Sequence, residues 1–412
     1  MAERRPFVLL DDAREHGAAD ALLFENPRQV FVAHRPDQVA DVLFAADQAR
    51  KSGGELAGFI AYEAGLALED RLRPLAHARS GAAGPLVWLG LFDAPTRIAA
   101  ADMPDWLAAH AQGPGSVGPL DPQLSPGGYE EAFATLQEAI RAGDIYQANL
   151  TFPLAGNFTG DPVGLYAALR PAAQAGYGGV IFDGSHWLLS LSPELFISLK
   201  GREAKAKPMK GTRPRGGDTA ADAAMAAELA GSVKDRAENL MIVDLMRNDL
   251  SRVARAGSVH VDEPFAIETY PTVHQMVSVI RARLDEGRSA VDLVRALFPC
   301  GSITGAPKIR AMQIINEMEK NKRNAYAGAV GYFGWDGAHD SCIALRTCLL
   351  KDGKVYVQAG AGVVADSDPT YEYNETLNKA MGMLRWRASK SYSTRAAPVG
   401  AVWPQHAVPR LR

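Results

Sequence analysis

Residues 355–379 read VYVQAGAGVVADSDPTYEYNETLNK and combine a strand, a glycine-rich turn and the start of a helix. The run Val355–Ala359 is rich in β-branched and aromatic residues, which is typical of a strand. Gly360-Ala361-Gly362 then predicts a tight turn whose backbone N–H groups can approach a carboxylate. Ser367-Asp368 supplies a capping side chain and Pro369 suits the first helical position. We therefore predict a helix that begins at this proline.

Two predicted helices, far apart in the chain, each carry two carboxylates on one side. Glu372 and Glu375 are three residues apart on the helix after the glycine turn, and Asp235 and Glu238 have the same spacing on an earlier helix. Four carboxylates from two helices provide the oxygen ligands that Mg²⁺ prefers, with positions left for water and an anionic substrate. Acidic residues near a helix N-terminus also interact favourably with the helix dipole, so stability alone is the alternative interpretation. The apolar positions of the earlier helix, which we expect to end at Gly257, are Leu240, Val243, Met246, Leu250 and Val253.

Three further side chains have settings that favour chemistry. Lys210 lies between Pro208 and Gly211 in a rigid turn that can aim its amine inward, where burial lowers the pKa and leaves a nucleophile. Glu194 stands between apolar residues at the start of a strand, a setting that raises a carboxyl pKa and favours a proton donor. Arg346 lies in an alternating run, where an inward guanidinium needs an anion. A solvated loop around Lys210 and a solvent-facing Arg346 are the alternatives.

The segment Gly301–Lys308 leads into another predicted helix. A glycine-containing turn at a helix N-terminus offers backbone N–H groups to an anion. Its residue order matches neither a Walker A loop nor GxGxxG, and an ordinary capped turn is the alternative.

Composition excludes several classes of function. The chain has 412 residues, 47% of them hydrophobic, and a net charge of −3, so we expect a globular protein that binds neither nucleic acid nor membranes. No export signal or membrane span is visible. Cys300, Cys342 and Cys348 form no CxxC pair, which favours a reducing cytoplasm and buried thiols.

Clusters of Gly and Pro and changes of composition along the chain predict four segments. Residues 1–111 form an N-terminal region, and residues 112–127 contain four Gly and four Pro, which indicates a linker that continues neither a helix nor a strand ladder. Residues 128–388 hold the candidate chemistry. Residues 389–412 read as a poorly ordered tail.

Six blocks of sequence stand out between Tyr129 and Leu384: Gly143–Asn149, Ser192–Glu194, Lys234–Asn239, Gly305–Lys308, Gln358–Gly362 and Glu375–Lys379. Together they resemble one family, the chorismate-utilising enzymes. This family includes anthranilate synthase component I, aminodeoxychorismate synthase component I, isochorismate synthase and salicylate synthase. The resemblance implies an α+β fold of two large, mostly antiparallel sheets packed together, with helices outside, the N-terminal region contributing to the same fold, and the site in a cleft.

The same resemblance implies roles for individual residues. Glu238 and Glu375 are expected to ligate Mg²⁺, and Asp235 and Glu372 to act through water, although the family usually has Glu where Asp235 stands. His274 matches the family's active-site histidine. Ser302 stands where threonine is more usual and keeps the hydroxyl. The residues expected to bind substrate are Gln147, Gly211, Ser302, Tyr326, Arg346, Gly360, Gly362 and Lys379.

Two positions separate the branches of the family. Members that add water to the ring have a lysine base where this chain has Gln147, and a neutral amide cannot take that proton. Lys210, within Pro208–Thr212, matches aminodeoxychorismate synthase, whereas anthranilate synthase has alanine there. The resemblance therefore favours amination of chorismate to 4-amino-4-deoxychorismate, for the para-aminobenzoate branch of folate biosynthesis, with Lys210 as nucleophile and Glu194 as acid. Anthranilate synthase component I and a non-catalytic partner are the alternatives.

The chain has no cysteine in the setting of a glutaminase nucleophile. We therefore expect ammonia to come from a separate glutamine amidotransferase subunit.

Overall fold

In the computed structural model, residues 4–77, 84–270 and 273–385 are described. The predicted tail 389–412 lies outside these residues. Within these ranges, no helix combines the length and the apolar character needed to cross a bilayer.

The described residues form two large sheets in which every strand pair is antiparallel. The strands are β1 (Phe7–Asp11), β2 (Ala21–Glu25), β3 (Gln29–Ala33), β4 (Glu55–Ile60), β5 (Val87–Phe92), β6 (Thr96–Ile98), β7 (Gly115–Val117), β8 (Asp121–Pro122), β9 (Gln147–Gly160), β10 (Tyr177–Phe182), β11 (Trp187–Ser192), β12 (Leu195–Lys200), β13 (Glu203–Ala206), β14 (Met209–Pro214), β15 (His260–Thr269), β16 (Val273–Arg283), β17 (Gly305–Ala306), β18 (Ala329–Phe333), β19 (His339–Ile343), β20 (Thr347–Lys351) and β21 (Lys354–Val363).

Helices pack on the outer faces of the sheets, so the fold belongs to the α+β class. They are α1 (Val39–Lys51), α2 (Ala64–Leu68), α3 (Arg73–His77), α4 (Met103–His110), α5 (Pro126–Arg141), α6 (Pro162–Ala173), α7 (Thr219–Gly231), α8 (Val233–Ser251), α9 (Ala290–Leu297), α10 (Lys308–Met318) and α11 (Pro369–Arg385). Short 3₁₀ helices cover Pro36–Gln38, Ala100–Asp102 and Gly301–Ile303.

The first sheet has the strand order β17-β9-β21-β20-β11-β10-β1-β2-β6, with β7 and β8 also paired to β9. The second has the order β14-β16-β13-β12-β19-β18-β4-β5-β3, with β15 paired to β16. Apolar side chains from β1, β2, β10 and β11 meet those from β4, β5, β18 and β19 and fill the space between the sheets. The two-sheet prediction is confirmed, and strands from the first 111 residues lie in both sheets.

Three local predictions were wrong. The Gly/Pro-rich segment 112–127 does pair, because β7 and β8 run antiparallel to β9. Gly360–Gly362 is not a turn, because β21 continues through it to Val363 and its glycines allow close approach to β9. Helix α8 ends at Ser251, and Leu240 is 50% exposed because the buried stripe passes through Asn239 instead.

The helix after β21 begins as predicted. Pro369 is its first residue, and the backbone N–H of Tyr371 donates a hydrogen bond to the Asp368 carboxylate at 2.8 Å. On α8, the Ser232 hydroxyl accepts a hydrogen bond from the backbone N–H of Asp235 at 3.2 Å. These caps fix the first turns of the two helices that carry the acidic pairs.

Two neighbouring segments pass from one sheet to the other and position two candidate side chains. The chain leaves β11 in the first sheet and enters β12 in the second at Pro193-Glu194, and it makes the reverse crossing from β19 to β20 through Arg346. The backbone N–H of Ile343 donates to the Glu194 carbonyl at 3.2 Å, and that of Leu191 donates to the Arg346 carbonyl at 3.1 Å. Because both segments cross at the same place, Glu194 and Arg346 are brought to the junction of the sheets.

Candidate active site

A cavity of about 660 Å³ opens at this junction, between the ends of both sheets and the first turns of α8 and α11. It brings together side chains from Asn149 to Ala380, which are about 230 residues apart in the chain. The predicted site residues that line it are Glu194, Lys210, Gly211, Asp235, Glu238, Ser302, Tyr326, Arg346, Gly360, Gly362, Glu372, Glu375 and Lys379.

Glu194 lies at the buried end of the cavity and is 6% exposed. Burial raises its pKa to about 7, although the hydrogen bond from Ser302 and the charge of Lys210 act in the opposite direction. The Ser302 hydroxyl donates that bond to Glu194 Oε1 at 2.9 Å. A carboxyl with a pKa of about 7 can both give and take a proton at neutral pH.

Lys210 lies on β14, at the edge of the second sheet, and its amine faces the cavity. Burial lowers its pKa, while the nearby carboxylate of Glu238 opposes this effect. The next residue, Gly211, has φ +88°, and a Cβ there would lie 2.9 Å from Asp235 Oδ1. Glycine is therefore required for β14 to pass so close to α8. The Lys210 amine is therefore deprotonated more readily than an ordinary lysine, and it lies beside a carboxyl that can donate a proton.

Arg346 has φ +49° at the crossing and lies between β19 and β20, not within the alternating strand that the sequence suggested. Its side chain is exposed to water through the cavity, and partial loss of solvent around the guanidinium lowers its pKa. Among the described residues, no carboxylate lies within ion-pair distance of it. A guanidinium held in a cavity without a protein anion is suited to a carboxylate ligand.

The four acids line the cavity from α8 and α11 but differ in their partners. Asp235 Oδ2 accepts a hydrogen bond from Arg213 at 3.0 Å, and Glu372 Oε1 accepts one from Ser367 at 2.8 Å. Glu375 pairs with Lys379 at 2.8 Å, whereas Glu238 has no ion pair or hydrogen bond within the described residues.

Nowhere in residues 4–77, 84–270 and 273–385 do three or more His, Cys, Asp or Glu side chains form a preassembled metal cluster. Mg²⁺ needs only one or two protein carboxylates, because it keeps water and takes oxygens from its ligand. Glu238, which has no internal partner among the described residues, and Glu375, whose ion pair with Lys379 is open to water, fit that requirement.

Gln147 and His274, both predicted to be in the site, do not line the cavity. Gln147 lies directly behind its wall, because a Cβ on Gly362 would be 2.7 Å from the Gln147 amide nitrogen. His274 points away. Its Nε2 is 2.8 Å from Asp222 Oδ1 and its Nδ1 is 3.0 Å from Thr269 Oγ1.

The expected position of His274 in the site is therefore corrected. Successive side chains on β16 point to opposite faces, so Val273 and Gln275 face the cavity and His274 faces α7 and β15. The alternation of side chains along this strand is the sequence signal that could have identified Gln275 as a residue facing the cavity. Asn149 was also missed, although it follows Gln147 at the same period within the quoted block Gly143–Asn149.

The segment Gly301–Lys308 divides between two cavities. Ser302 faces the cavity described above, while Lys308 lines a second one of about 630 Å³ beside α8. The Lys308 amine donates to the Leu297 carbonyl at 2.8 Å and pairs with Asp249. Ser302 therefore belongs to the candidate site, whereas the contacts of Lys308 stabilise the fold.

Comparison with known proteins defines the class. A family model described as "chorismate binding enzyme" matches residues 5–385, so the chain belongs to the chorismate-binding enzyme family. The crystal structure of anthranilate synthase component I from Streptococcus pneumoniae superimposes with a TM-score of 0.75 and 28% identity, covering 90% of this chain and 93% of that one.

Individual relatives come from two branches. Aminodeoxychorismate synthase component 1 of Salmonella typhimurium is 47% identical over 258 residues, which is 62% of this chain and 56% of that protein. Anthranilate synthase component 1 of Streptomyces coelicolor is 44% identical over 262 residues, covering 63% and 51%. The matches thus span about half the length of these curated relatives.

Proposed function

We propose that this chain is a synthase subunit that converts chorismate and ammonia to 4-amino-4-deoxychorismate, for the para-aminobenzoate branch of folate biosynthesis. The observation that carries this proposal is the position of Lys210, whose amine faces the cavity with a pKa lowered by burial beside Glu194. Similarity alone supports both amination branches, since relatives from each are 44–47% identical.

The first step uses both shifted groups. The neutral Lys210 amine attacks ring C2 and forms a C2–Nζ bond, the two ring double bonds move toward C4, and the C4–O bond breaks. The protonated Glu194 carboxyl gives its proton to the departing hydroxyl, which leaves as water. Glu194 becomes a carboxylate, and the lysine nitrogen carries the positive charge.

The second step reverses the electron flow. The lone pair of ammonia forms a C4–N bond, the double bonds return, and the C2–Nζ bond breaks to release the neutral Lys210 amine. The new C4 ammonium group passes one proton to the Glu194 carboxylate, so both side chains regain their starting states. The enolpyruvyl group stays attached, and water is the other product.

The outer part of the cavity binds the charged groups of the substrate around the ring. Arg346 pairs with a substrate carboxylate, and Lys379, which donates to the Gly360 carbonyl at 3.3 Å, adds a second cation at the rim. Glu238 and Glu375 would hold Mg²⁺, with Asp235 and Glu372 acting through water. Bound there, the ion would neutralise substrate carboxylates and favour electron flow into the ring.

Product analysis tests the proposal. The purified chain is incubated with chorismate, ammonium chloride and magnesium chloride, and products are separated by liquid chromatography and identified by mass. We expect 4-amino-4-deoxychorismate, which an added aminodeoxychorismate lyase converts to para-aminobenzoate. Fluorescent anthranilate with released pyruvate would overturn the proposal in favour of the tryptophan branch.

The ammonia source is part of the same proposal. We expect the isolated chain to use ammonium salts and to gain glutamine-dependent activity only with a separate amidotransferase subunit. Glutamine-dependent turnover by the pure chain would contradict this expectation.

A further inference from the structure

A buried ion pair lies behind the cavity, in the segment between α10 and β18. Arg323 is 2% exposed, and its guanidinium binds Glu319 through two hydrogen bonds, from Nε to Oε2 at 2.9 Å and from Nη2 to Oε1 at 2.7 Å. Replacing a buried ion pair by apolar residues of similar volume is often neutral or stabilising, so stability alone does not explain such a pair. Its other hydrogen bonds indicate a further role.

The guanidinium also binds the backbone of two segments that line the cavity. Nη1 donates to the Ile303 carbonyl at 2.8 Å, and Nη2 donates to the Asn149 carbonyl at 2.8 Å. Ile303 belongs to the 3₁₀ helix Gly301–Ile303 and Asn149 to β9, and both residues line the cavity. The Asn149 N–H in turn donates to the Thr304 carbonyl at 2.9 Å. Arg323 therefore ties this 3₁₀ helix to β9.

The 3₁₀ helix carries the hydroxyl that binds the candidate acid. Ser302 donates to Glu194 Oε1 at 2.9 Å, and the next residue, Ile303, is the one that Arg323 holds. An O–H···O bond weakens steeply when its distance or angle departs from the optimum, so it depends on the position of the helix. The titratable groups that face the same carboxyl are those of Lys210, Cys300 and Tyr326.

Two further contacts fix the position of Arg323 itself. Glu63, which precedes α2 and is 7% exposed, accepts the backbone N–H of Arg323 at 2.7 Å and that of Asn324 at 3.1 Å. The backbone N–H and the hydroxyl of Thr151 on β9 both donate to Glu319 Oε1 at 2.9 Å. The planar guanidinium is thus held in one orientation from both sheets.

We propose that Arg323 is a positioning residue, which holds the 3₁₀ helix Gly301–Ile303 against β9 so that Ser302 stays hydrogen-bonded to Glu194. This inference rests on the proposed function, in which Glu194 gives a proton to the departing hydroxyl. Without the bond from Ser302, the orientation of the carboxyl is less restricted and proton transfer slows. Because that bond favours the carboxylate form, its loss also raises the pKa of Glu194.

Arg323→Lys is the test variant, because lysine keeps a charge beside Glu319 but lacks the planar fork that reaches both carbonyls. Arg50→Lys is the matched control. Arg50 is 4% exposed, pairs with Asp47 at 2.8 Å and donates to the Gly334 carbonyl at 2.6 Å, away from the cavity. Thermal melting establishes that each variant is folded. Glu319→Gln, which keeps one acceptor oxygen, replaces Arg323→Lys if that variant does not fold.

The readout is kcat as a function of pH, for each variant alone and combined with Ser302→Ala. We expect Arg323→Lys to lower kcat about tenfold and to move the descending limb of the profile to higher pH by about half a unit or more. In the Ser302→Ala background the same change should lower kcat by less than about threefold, because the bond that Arg323 supports is already absent. Arg50→Lys should keep the parent kcat and limb.

Two results would overturn the inference. One is a parent kcat and an unmoved limb in Arg323→Lys. The other is a full tenfold loss in the Ser302→Ala background, because that loss would not act through Ser302. The mass of the product tests the proposed function separately: anthranilate would refute that function, while a loss of kcat that depends on Ser302 would still support the role of Arg323.

Discussion

The inner and outer parts of the cavity differ in how much water reaches their ionisable side chains. Glu194 in the inner part is 6% exposed, whereas the side chains of Glu375 and Lys379 in the outer part are 36% and 48% exposed. Burial shifts the pKa of Glu194 to about 7 and lowers that of Lys210, which suits proton transfer and nucleophilic attack. The outer groups keep contact with water, so they can exchange it for a hydrated cation or an anionic substrate. Within one cavity, the buried residues are thus suited to making and breaking bonds, and the exposed residues are suited to binding charged groups.

Removing the inner amine should have the largest effect. Lys210→Ala deletes the nucleophile, and we expect the rate of 4-amino-4-deoxychorismate formation to fall by about a thousandfold or more at saturating ammonium. Lys205→Ala is the matched control, because Lys205 lies on β13 outside the cavity and should keep the parent rate. Product formation at the parent rate by Lys210→Ala would place the nucleophile elsewhere.

Removing the inner acid should have the next largest effect. Glu194→Gln cannot donate a proton, and we expect kcat to fall about a hundredfold or more. The parent should lose activity as pH rises through about 7, because the protonated fraction of Glu194 falls there. Glu194→Gln should lack this descending limb in a pH–rate profile. A limb that persists would assign it to another group.

The outer acids should show smaller, metal-dependent effects. Glu238→Gln removes a carboxylate without an internal partner, and we expect the Mg²⁺ concentration for half-maximal activity to rise about a hundredfold. Asp235→Asn, whose carboxylate is engaged by Arg213, should raise it about tenfold. Titration of activity with magnesium measures both values. Equal effects would mean that the two acids do not differ in role.

His274 should show the smallest catalytic effect. His274→Ala removes contacts to Asp222 and Thr269 but nothing from the cavity, so we expect kcat within about twofold and a loss of about 1–3 kcal/mol in the free energy of unfolding. Gln275→Ala, one residue further on β16, should raise KM for chorismate instead. Denaturant unfolding beside steady-state kinetics distinguishes these outcomes. A large loss of kcat in His274→Ala would restore its expected role.

Sequence features predicted the two acidic pairs of the cavity, because helix caps and three-residue spacing are local properties. Pro369 begins α11 as predicted, and the two acidic pairs face one cavity. The family resemblance correctly implied two packed antiparallel sheets. It also placed Lys210 and Glu194 in the same cavity, which no local pattern could do for residues in separate segments of the chain.

The failures have a common physical cause. Gly360–Gly362 looked like a turn, but pairing with β9 extends the strand through it, and only tertiary structure provides that partner. The segment 112–127 pairs for the same reason. His274 was expected in the site because it matches the family's active-site histidine. Strand alternation decides which neighbour faces the cavity, and the register of β16 was not readable from the chain.

The most direct test of the inner part is to look for the covalent bond to Lys210. The enzyme is mixed with chorismate and magnesium without ammonia, quenched in acid and digested, and the peptide containing Lys210 is measured by mass spectrometry. We predict a fraction of that peptide heavier by chorismate less one water, absent in Lys210→Ala and lost when ammonium is added before quenching. An unmodified Lys210 peptide, from a preparation that forms 4-amino-4-deoxychorismate with ammonium at full rate, would contradict the account.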